Sequence, residues 1–302
     1  MSSAPIASTF EAERSVPESS DGRAAGYHHF TVDVEEYFQV SALEPFVARD
    51  RWEEMESRVG QATERLLELM EGHGSRGTFF VLGWIAERYP GLVQSISKAG
   101  HEVASHGWGH EKVTTQTRAE FRESVRTSRD ALEQITGQEV LGYRAPSFSI
   151  VEGHDWALDI LVEEGYRYDS SLFPVRRRGY GYASGRREPH WLERPGGPLL
   201  EFPPATLRRF GTNLPAAGGA YFRLFPYGFV EAGLRQAEAR GVPATFYIHP
   251  WEWDEGQPVF DVPSFTRIRH YGGLGRTWGR LQRLLRTFRF NSIRASLASV
   301  PR

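Results

Sequence analysis

The sequence contains no cysteine among its 302 residues. Without thiols the chain cannot form disulfides, cysteine-ligated zinc sites, iron–sulfur clusters or a cysteine nucleophile. Any metal that it binds must therefore be held by histidine and carboxylate side chains. Long hydrophobic runs are also missing, since no apolar stretch approaches the ~20 residues that cross a bilayer.

A large excess of charge of one sign is missing too. The formal net charge is −2 and the pI is about 6.6, which gives no cationic footprint for binding nucleic acid. The first 26 residues contain neither the basic nor the apolar region of a secretory signal. We predict a disordered N-terminal tail over residues 1–26 and expect a cytoplasmic protein.

The remaining composition, with 40% hydrophobic and 25% charged residues, is typical of a folded globular protein. Strand-like apolar segments alternate with segments of helical periodicity. The strand-like segments are 27–34, 77–83, 102–106, 141–145, 165–170, 198–203 and 243–249. The helix-like segments are 62–71, 91–99, 118–135, 155–164 and 229–239. This alternation predicts an α/β fold whose mostly parallel sheet bends into a distorted, incomplete (β/α)7 barrel.

Three stretches depart from the alternation. Residues 174–197 and 204–227 are rich in glycine, proline and arginine, and they are predicted to be long loops. From residue 262 onward the chain has nine arginines and no acidic residue, with apolar residues at helical spacing. We therefore predict a barrel over 27–261 and a basic amphipathic extension over 262–302 that packs on it.

Ionisable residues stand at the ends of five predicted strands. His106 and His110 follow one strand at a spacing that lets both bind one metal ion. Asp33 and Glu35 follow another and point to the same side of an extended segment. One of these carboxylates could complete a metal site while the other acts as a general base. The remaining strand-end residues are Arg144, Asp169 and His249.

Each of these residues also has an ordinary structural interpretation. Asp33 and Glu35 could be solvated loop carboxylates, Arg144 could form a structural ion pair, and His249 could be a hydrogen-bonded core residue. Active sites of such barrels lie at the carboxyl ends of the strands, and buried unpaired charges are costly. The convergence of five charged strand ends therefore favours a functional site.

These residues also match five motifs in the order in which polysaccharide deacetylases carry them. The matching segments are Thr31-Val-Asp33-Val-Glu35, Ser105-His106 with His110, Arg144-Ala-Pro146-Ser147, Asp169, and Ile248-His249. Over roughly residues 28 to 290 the chain resembles carbohydrate esterase family 4, the NodB-homology fold. It is most similar to the subgroup associated with exosortase and exopolysaccharide gene clusters, which carries a C-terminal extension of the DUF3473 type.

The resemblance implies removal of N-acetyl groups from an amino-sugar-containing polysaccharide or oligosaccharide, with exopolysaccharide-assembly machinery as a possible partner. It makes Asp33 the base, tethered by Arg144, and His249 the general acid, oriented by Asp169. The implied cofactor is a divalent metal, zinc before cobalt or another ion. Its implied ligands are Glu35, His106 and His110.

The resemblance also implies a substrate groove. Pro146, Ser147 and Phe148 would line it, and the Ser147 N–H would stabilise the oxyanion. Trp251 and Tyr221 are aromatic residues that could stack on sugar rings.

The chain departs from the family pattern at three places. The first motif is displaced by one residue, Ser147 replaces a tyrosine, and a tryptophan is missing after Asp169. The displacement leaves two assignments for the carboxylate ligand, Glu35 or Asp33, and leaves open whether a metal is required. Two other functions stay as hypotheses: a metal-independent, allantoinase-like hydrolase of small or cyclic amides, and a catalytically silent saccharide-binding protein.

Overall fold

The computed structural model describes residues 26–177 and 179–302. The predicted N-terminal tail, apart from Gly26, lies outside these residues. The strands are β1 (His28–Val34), β2 (Thr78–Val81), β3 (Glu102–Ser105), β4 (Gly142–Tyr143), β5 (Tyr168–Asp169), β6 (His190–Arg194), β7 (Gly197–Glu201), β8 (Thr206–Arg209), β9 (Thr212–Pro215), β10 (Thr245–Ile248) and β11 (Phe290–Asn291). The helices are α1 (Val59–Gly72), α2 (Gly83–Arg88), α3 (Pro90–Lys98), α4 (Arg118–Thr136), α5 (Trp156–Glu163), α6 (Gly219–Leu224), α7 (Tyr227–Glu238), α8 (Ser264–Tyr271) and α9 (Leu274–Thr287).

Parallel strands form a curled sheet in the order β10-β1-β2-β3-β4-β5-β7, and β6 pairs antiparallel to β7 at the edge. Two parallel bridges, Pro204 to Thr245 and Gly218 to Tyr247, connect the chain beyond β7 back to β10. Irregular backbone thus takes the place of a further strand at the seam. The predicted α/β fold with an incomplete barrel of seven parallel strands is confirmed.

Side chains of β1 alternate between the two faces of the sheet, as the pleat requires. Phe30 and Val32 are fully buried in the large core between sheet and helices. Thr31 and Asp33 point into the barrel, where both contact the guanidinium of Arg144. The same alternation that builds the core therefore aims Asp33 at the mouth of the barrel.

An apolar layer lies inside the barrel below the carboxyl ends of the strands. It consists of Phe80, Ala104, Tyr168, Leu200, Phe202 and Ile293. The guanidinium of Arg144 lies 4.2 Å from the centre of the Phe80 ring, so the apolar layer ends where the charged residues begin. This filling excludes water from beneath the charged layer.

Helix α4 shows how local sequence sets the outer layer. The Thr117 hydroxyl caps its first turn by accepting from the Glu120 N–H at 3.2 Å, and the Glu120 carboxylate accepts from the Thr117 N–H at 2.7 Å. Gly137 ends the helix with a φ of 65°, which glycine adopts without strain. Phe121 and Val125 bury the face that packs on the sheet.

Two predicted loops contain regular structure. The 174–197 stretch includes β6, and the 204–227 stretch includes the β8–β9 hairpin and α6. The hairpin escapes prediction because its strands are short and half exposed, with Arg208 and Arg209 at exposed positions. Helix α6 escapes because it has six residues and starts at glycine.

The predicted basic extension consists of α8 and α9 rather than one helix, with Gly273 in a left-handed turn between them. A segment after α9 then closes the barrel at the amino ends of the strands. The Ile293 N–H donates to Thr78 Oγ1 at 2.8 Å, and the Arg294 N–H donates to Glu102 Oε2 at 2.9 Å. Within residues 26–177 and 179–302, no helix combines the length and the apolar character needed to cross a membrane.

Candidate active site

A cleft of about 450 Å³ opens at the carboxyl ends of the parallel strands. This size is ordinary for a small-molecule site. Its floor carries Asp33, Glu35 and His249, and one wall is formed by α6, α8 and the segment around Tyr180. The structure therefore brings Asp33, Glu35, His106, His110 and His249 together at this cleft, and the C-terminal part of the chain forms one of its walls.

Three residues form a candidate metal site. Ligand atoms of Glu35, His106 and His110 all lie within 4.8 Å of one another. The His106 Nδ1–H donates to the Arg144 carbonyl at 2.8 Å, which directs its Nε2 toward the other two residues. Glu35 Oε2 is buried and has no hydrogen-bond partner among the described residues, although His110 Nε2 is only 2.7 Å away. An orphaned carboxylate oxygen beside two imidazoles fits a bound cation.

The charge states of these residues also suit a cation. Burial alone would raise the pKa of Glu35, but His110, His249 and His106 outweigh it and lower the pKa to about 2. Burial lowers the pKa of His106 to about 4, so its imidazole is neutral at neutral pH. His110 has a φ of 61°, which non-glycine residues rarely adopt, and strain of this kind concentrates at functional sites.

Arg144 holds the predicted base. Its buried guanidinium donates to Asp33 Oδ1 and Thr31 Oγ1, both at 2.7 Å. It also donates to the hydroxyl and the carbonyl of Ser170, at 2.8 and 3.1 Å. These bonds fix Asp33 so that its Oδ2 faces His249 Nε2 across 3.7 Å. The expected tether between Arg144 and Asp33 is present.

Asp169 does not orient His249, so that expectation was wrong. The Asp169 carboxylate instead accepts from the N–H and hydroxyl of Ser171, at 3.1 and 2.6 Å, and Asp169 lies opposite Glu201 on β7. His249 donates from Nδ1 to Glu252 Oε1 at 2.7 Å. Asp169 hydrogen-bonds to Ser171 instead. Glu252 therefore makes the contact with His249 that the motif comparison assigned to Asp169.

Glu252 and Arg223 are thus site residues that the sequence interpretation missed. Glu252 lies in a 3-10 helix that starts directly after His249, and it receives Arg223 Nε at 2.6 Å. A signal existed for Glu252, because a glutamate three residues after the cap position and a proline at the first turn mark a helix start. Arg223 gave none, since it lay in a segment predicted to be a loop.

His249 is protonated at neutral pH. Burial lowers its pKa, but Glu35, Glu252 and Asp33 together raise it to about 9. Its Nε2 lies 3.7 Å from Asp33 and 3.7 Å from Glu35. An imidazolium therefore faces the two carboxylates across the floor of the cleft.

The predicted groove residues divide into two groups. Ser147 and Phe148 line the cleft, with left-handed φ angles of 55° and 52°. Tyr221 also lines it, and its hydroxyl is 2.7 Å from that of Tyr180. Pro146 is buried and does not line the cleft, and its predicted substrate contact stays a prediction.

Trp251 lines the cleft and is mostly buried. Its ring stacks on those of His249 and His270, with centroid distances of 5.3 and 4.4 Å. Its Nε1–H donates to Glu35 Oε1 at 3.1 Å. Trp251 is only 8% exposed and contacts several of the site's own residues, and sugar stacking on it stays a prediction.

Known structures share this fold. A Mycobacterium smegmatis protein assigned to the polysaccharide deacetylases superimposes with a TM-score of 0.63, at 21% identity, over 96% of this chain and 95% of that one. An allantoinase superimposes with a TM-score of 0.59, at 18% identity, over 92% and 91%. At such identities the likeness defines the class of fold, the NodB-type barrel.

Sequence comparison gives two matches to family profiles and several curated relatives. A profile described as "Polysaccharide deacetylase" matches residues 53–168, and one described as "Domain of unknown function (DUF3473)" matches 170–298. The peptidoglycan deacetylase of Helicobacter pylori is 31% identical over 110 residues, which is 36% of this chain and 36% of that protein. The chain spans well under half the length of the curated relatives it matches first. The chain is thus similar to polysaccharide deacetylases over residues 53–168 and to the DUF3473 domain over residues 170–298, which confirms the resemblance.

Proposed function

We propose that this protein is a metal-dependent hydrolase that removes N-acetyl groups from an amino-sugar-containing polysaccharide or oligosaccharide. The observation that carries the proposal is the grouping of Glu35, His106 and His110 within 4.8 Å, with a tethered carboxylate and an imidazolium beside it. We assign Glu35 as the carboxylate ligand, because Asp33 is held by Arg144 whereas Glu35 Oε2 lacks a partner among the described residues.

The three ligands would hold a divalent ion, and their His-His-carboxylate set matches the usual ligands of zinc. Bound there, such an ion polarises an acetyl carbonyl and lowers the pKa of a water molecule.

Asp33 acts as the general base. Its Oδ1 is engaged by Arg144, so Oδ2 is the oxygen that takes a proton from the attacking water. The four donations from Arg144 keep Asp33 in place while the proton moves. A buried arginine in this role also neutralises the carboxylate without itself losing a proton.

His249 acts as the general acid. An amide nitrogen is a poor leaving group, so the amine must receive a proton as the C–N bond breaks. The His249 Nε2–H faces the cleft and supplies this proton. We assign the Ser147 N–H, on the cleft lining, as a donor to the oxyanion.

The lining supports a saccharide substrate. Tyr221 and the 40% exposed Phe225 present aromatic surface to the cleft, and such rings stack on the apolar face of a pyranose. Placing that saccharide among exopolysaccharides rests on the resemblance of the C-terminal region.

The test is acetate release from a panel of N-acetylated oligosaccharides, with zinc, cobalt or a chelator present. We expect release that chelation abolishes and zinc restores, and an Asp33→Asn variant at least ~10²-fold slower. Glu44→Gln is the matched control, because Glu44 is an exposed carboxylate on the segment after β1 that pairs with Lys112.

Two outcomes would refute the proposal. Full activity on a small cyclic amide after chelation would favour the allantoinase-like function. Saccharide binding without acetate release, unchanged in Asp33→Asn, would favour a silent binding protein.

A further inference from the structure

A line of buried charged groups runs from the site into the C-terminal part of the chain. His249 Nδ1–H donates to Glu252 Oε1 at 2.7 Å, and Arg223 Nε donates to Glu252 Oε2 at 2.6 Å. The Glu252 side chain is fully buried and that of Arg223 is 1% exposed. Burial would raise the pKa of Glu252, but Arg223 and His249 lower it, so this residue is a carboxylate between two cations.

Helix α8 fixes the far side of Arg223. The guanidinium donates from Nη1 to the His270 and Gly272 carbonyls, at 2.9 and 2.5 Å, and from Nη2 to the Arg269 carbonyl at 2.7 Å. These carbonyls belong to the last turn of α8 and to the residue after it, where backbone acceptors lack helical partners. One guanidinium therefore joins the end of α8 to Glu252.

Helix α9 fixes the backbone of Arg223. Arg280 donates from Nη1 to the carbonyls of Phe225 and Arg223, at 2.9 and 3.1 Å. Gly273, with a φ of 78°, passes so close that a Cβ there would lie 2.6 Å from the Arg223 carbonyl oxygen. Arg223 can shift only if the turn between α8 and α9 shifts with it.

These contacts determine where the imidazole of His249 points. Glu252 Oε1 accepts from both the backbone N–H and Nδ1–H of His249, and Trp251 stacks on the ring. Only Nε2 then faces the cleft. A buried ion pair such as Arg223–Glu252 adds little stability by itself. Its main effect is therefore to hold the imidazole of His249 in one orientation.

We propose that Arg223, acting through Glu252, is a positioning residue for the general acid His249, and that α8 and α9 thereby complete the catalytic machinery. The role of His249 as general acid rests on the proposed function, whereas its positioning by Glu252 and Arg223 does not. As the C–N bond breaks, the His249 Nε2–H proton moves to the amine nitrogen, and solvent later reprotonates the imidazole. Glu252 keeps accepting the Nδ1–H and takes no proton.

The test compares two leaving groups in Glu252→Gln and Arg223→Lys. On an N-acetylated chitooligosaccharide, we expect kcat to fall by ~10²-fold in Glu252→Gln with KM unchanged, because proton delivery is impaired. On 4-nitrophenyl acetate we expect little change, because nitrophenolate leaves without a proton. Arg223→Lys should lose less than Arg223→Met. Glu231→Gln, which breaks the exposed α7–α9 pair with Arg283, is the matched control and should alter neither substrate.

A second measurement is independent of turnover. In histidine-labelled protein, the Nδ1 proton of His249, assigned by its loss in His249→Asn, should give a downfield NMR signal that shifts or disappears in Glu252→Gln. Equal losses on both substrates, or an unchanged signal in Glu252→Gln, would overturn the proposal. If the wild type releases no acetate from any amide, the proposed function fails and the NMR signal still decides the positioning.

Discussion

Replacing Glu201 by glutamine should remove part of the pH dependence of the protein's stability. Glu201 lies opposite Asp169 on the neighbouring strand, and both side chains are fully buried. Burial raises the pKa of both, and the charge of Asp169 raises that of Glu201 further, well above its usual range. The folded protein therefore holds a proton on this pair that the unfolded chain releases.

The sign follows from this raised pKa. The stabilising contribution is fully present below the unfolded pKa of about 4.3 and is lost as the pH rises through the folded pKa. One retained proton makes the free energy of unfolding fall by up to ~1.4 kcal/mol per pH unit in that interval. Glutamine can still accept from the Leu172 N–H, which lies 3.0 Å from Glu201 Oε1, and its amide can donate to Asp169.

The assay is denaturant unfolding at several pH values from 5 to 8, with the variant and wild type at equal metal content. The free energy of unfolding of Glu201→Gln minus that of wild type should grow as the pH rises. The reason is that only the wild type loses stability as the proton on this pair is released. Glu193→Gln, at an exposed position of the same β6–β7 hairpin, should run parallel to wild type. If Glu201→Gln also runs parallel, the pair holds no proton and the reasoning is refuted.

Three further predictions concern the metal ligands, the tether and the barrel closure. Glu35→Gln should lower the zinc content of the folded protein, measured by atomic emission after dialysis; full zinc occupancy would contradict the assignment. Arg144→Met should cost ~3–5 kcal/mol in denaturant unfolding, because Asp33 is left as an unpaired buried charge, and a loss below 1 kcal/mol would count against it. Ile293→Ala should cost ~2–5 kcal/mol by opening a cavity, with acetate release per folded molecule unchanged; slower release would show that the closure reaches the site.

Much of the fold follows from the sequence because buried parallel strands are continuous apolar runs. All seven predicted strands occur, and their ends carry the charges that the sequence places there. The β8–β9 hairpin and α6 do not follow, since the hairpin is half exposed and α6 lacks a helical stripe of useful length. Their positions come from tertiary contacts such as the bridge of Gly218 to Tyr247.

The site was predictable where a residue's position on a strand decides its direction. Asp33, His106 and Arg144 lie at strand ends, and the curl of the sheet brings them together. The partner of His249 was not predictable in this way, because a 3-10 turn after β10 returns Glu252 to its ring. The contacts of Trp251 were hidden for the same reason, since His270, which stacks on its ring, comes from α8.

The residues of the candidate site are distributed over both family matches, and both matches contribute strands to one sheet. Asp33 and Glu35 precede both matches, and the histidine ligands and Arg144 lie in the first. His249, Glu252 and Arg223 lie in the DUF3473 region, whose β10 pairs with β1 over four residues. A chain that ended at β5 would hold the base and the ligands but no acid, and it would leave one edge of β1 unpaired. In the proposed mechanism the DUF3473 region would therefore be the part of the barrel that delivers the proton, and variants there should impair cleavage of amides more than of activated esters.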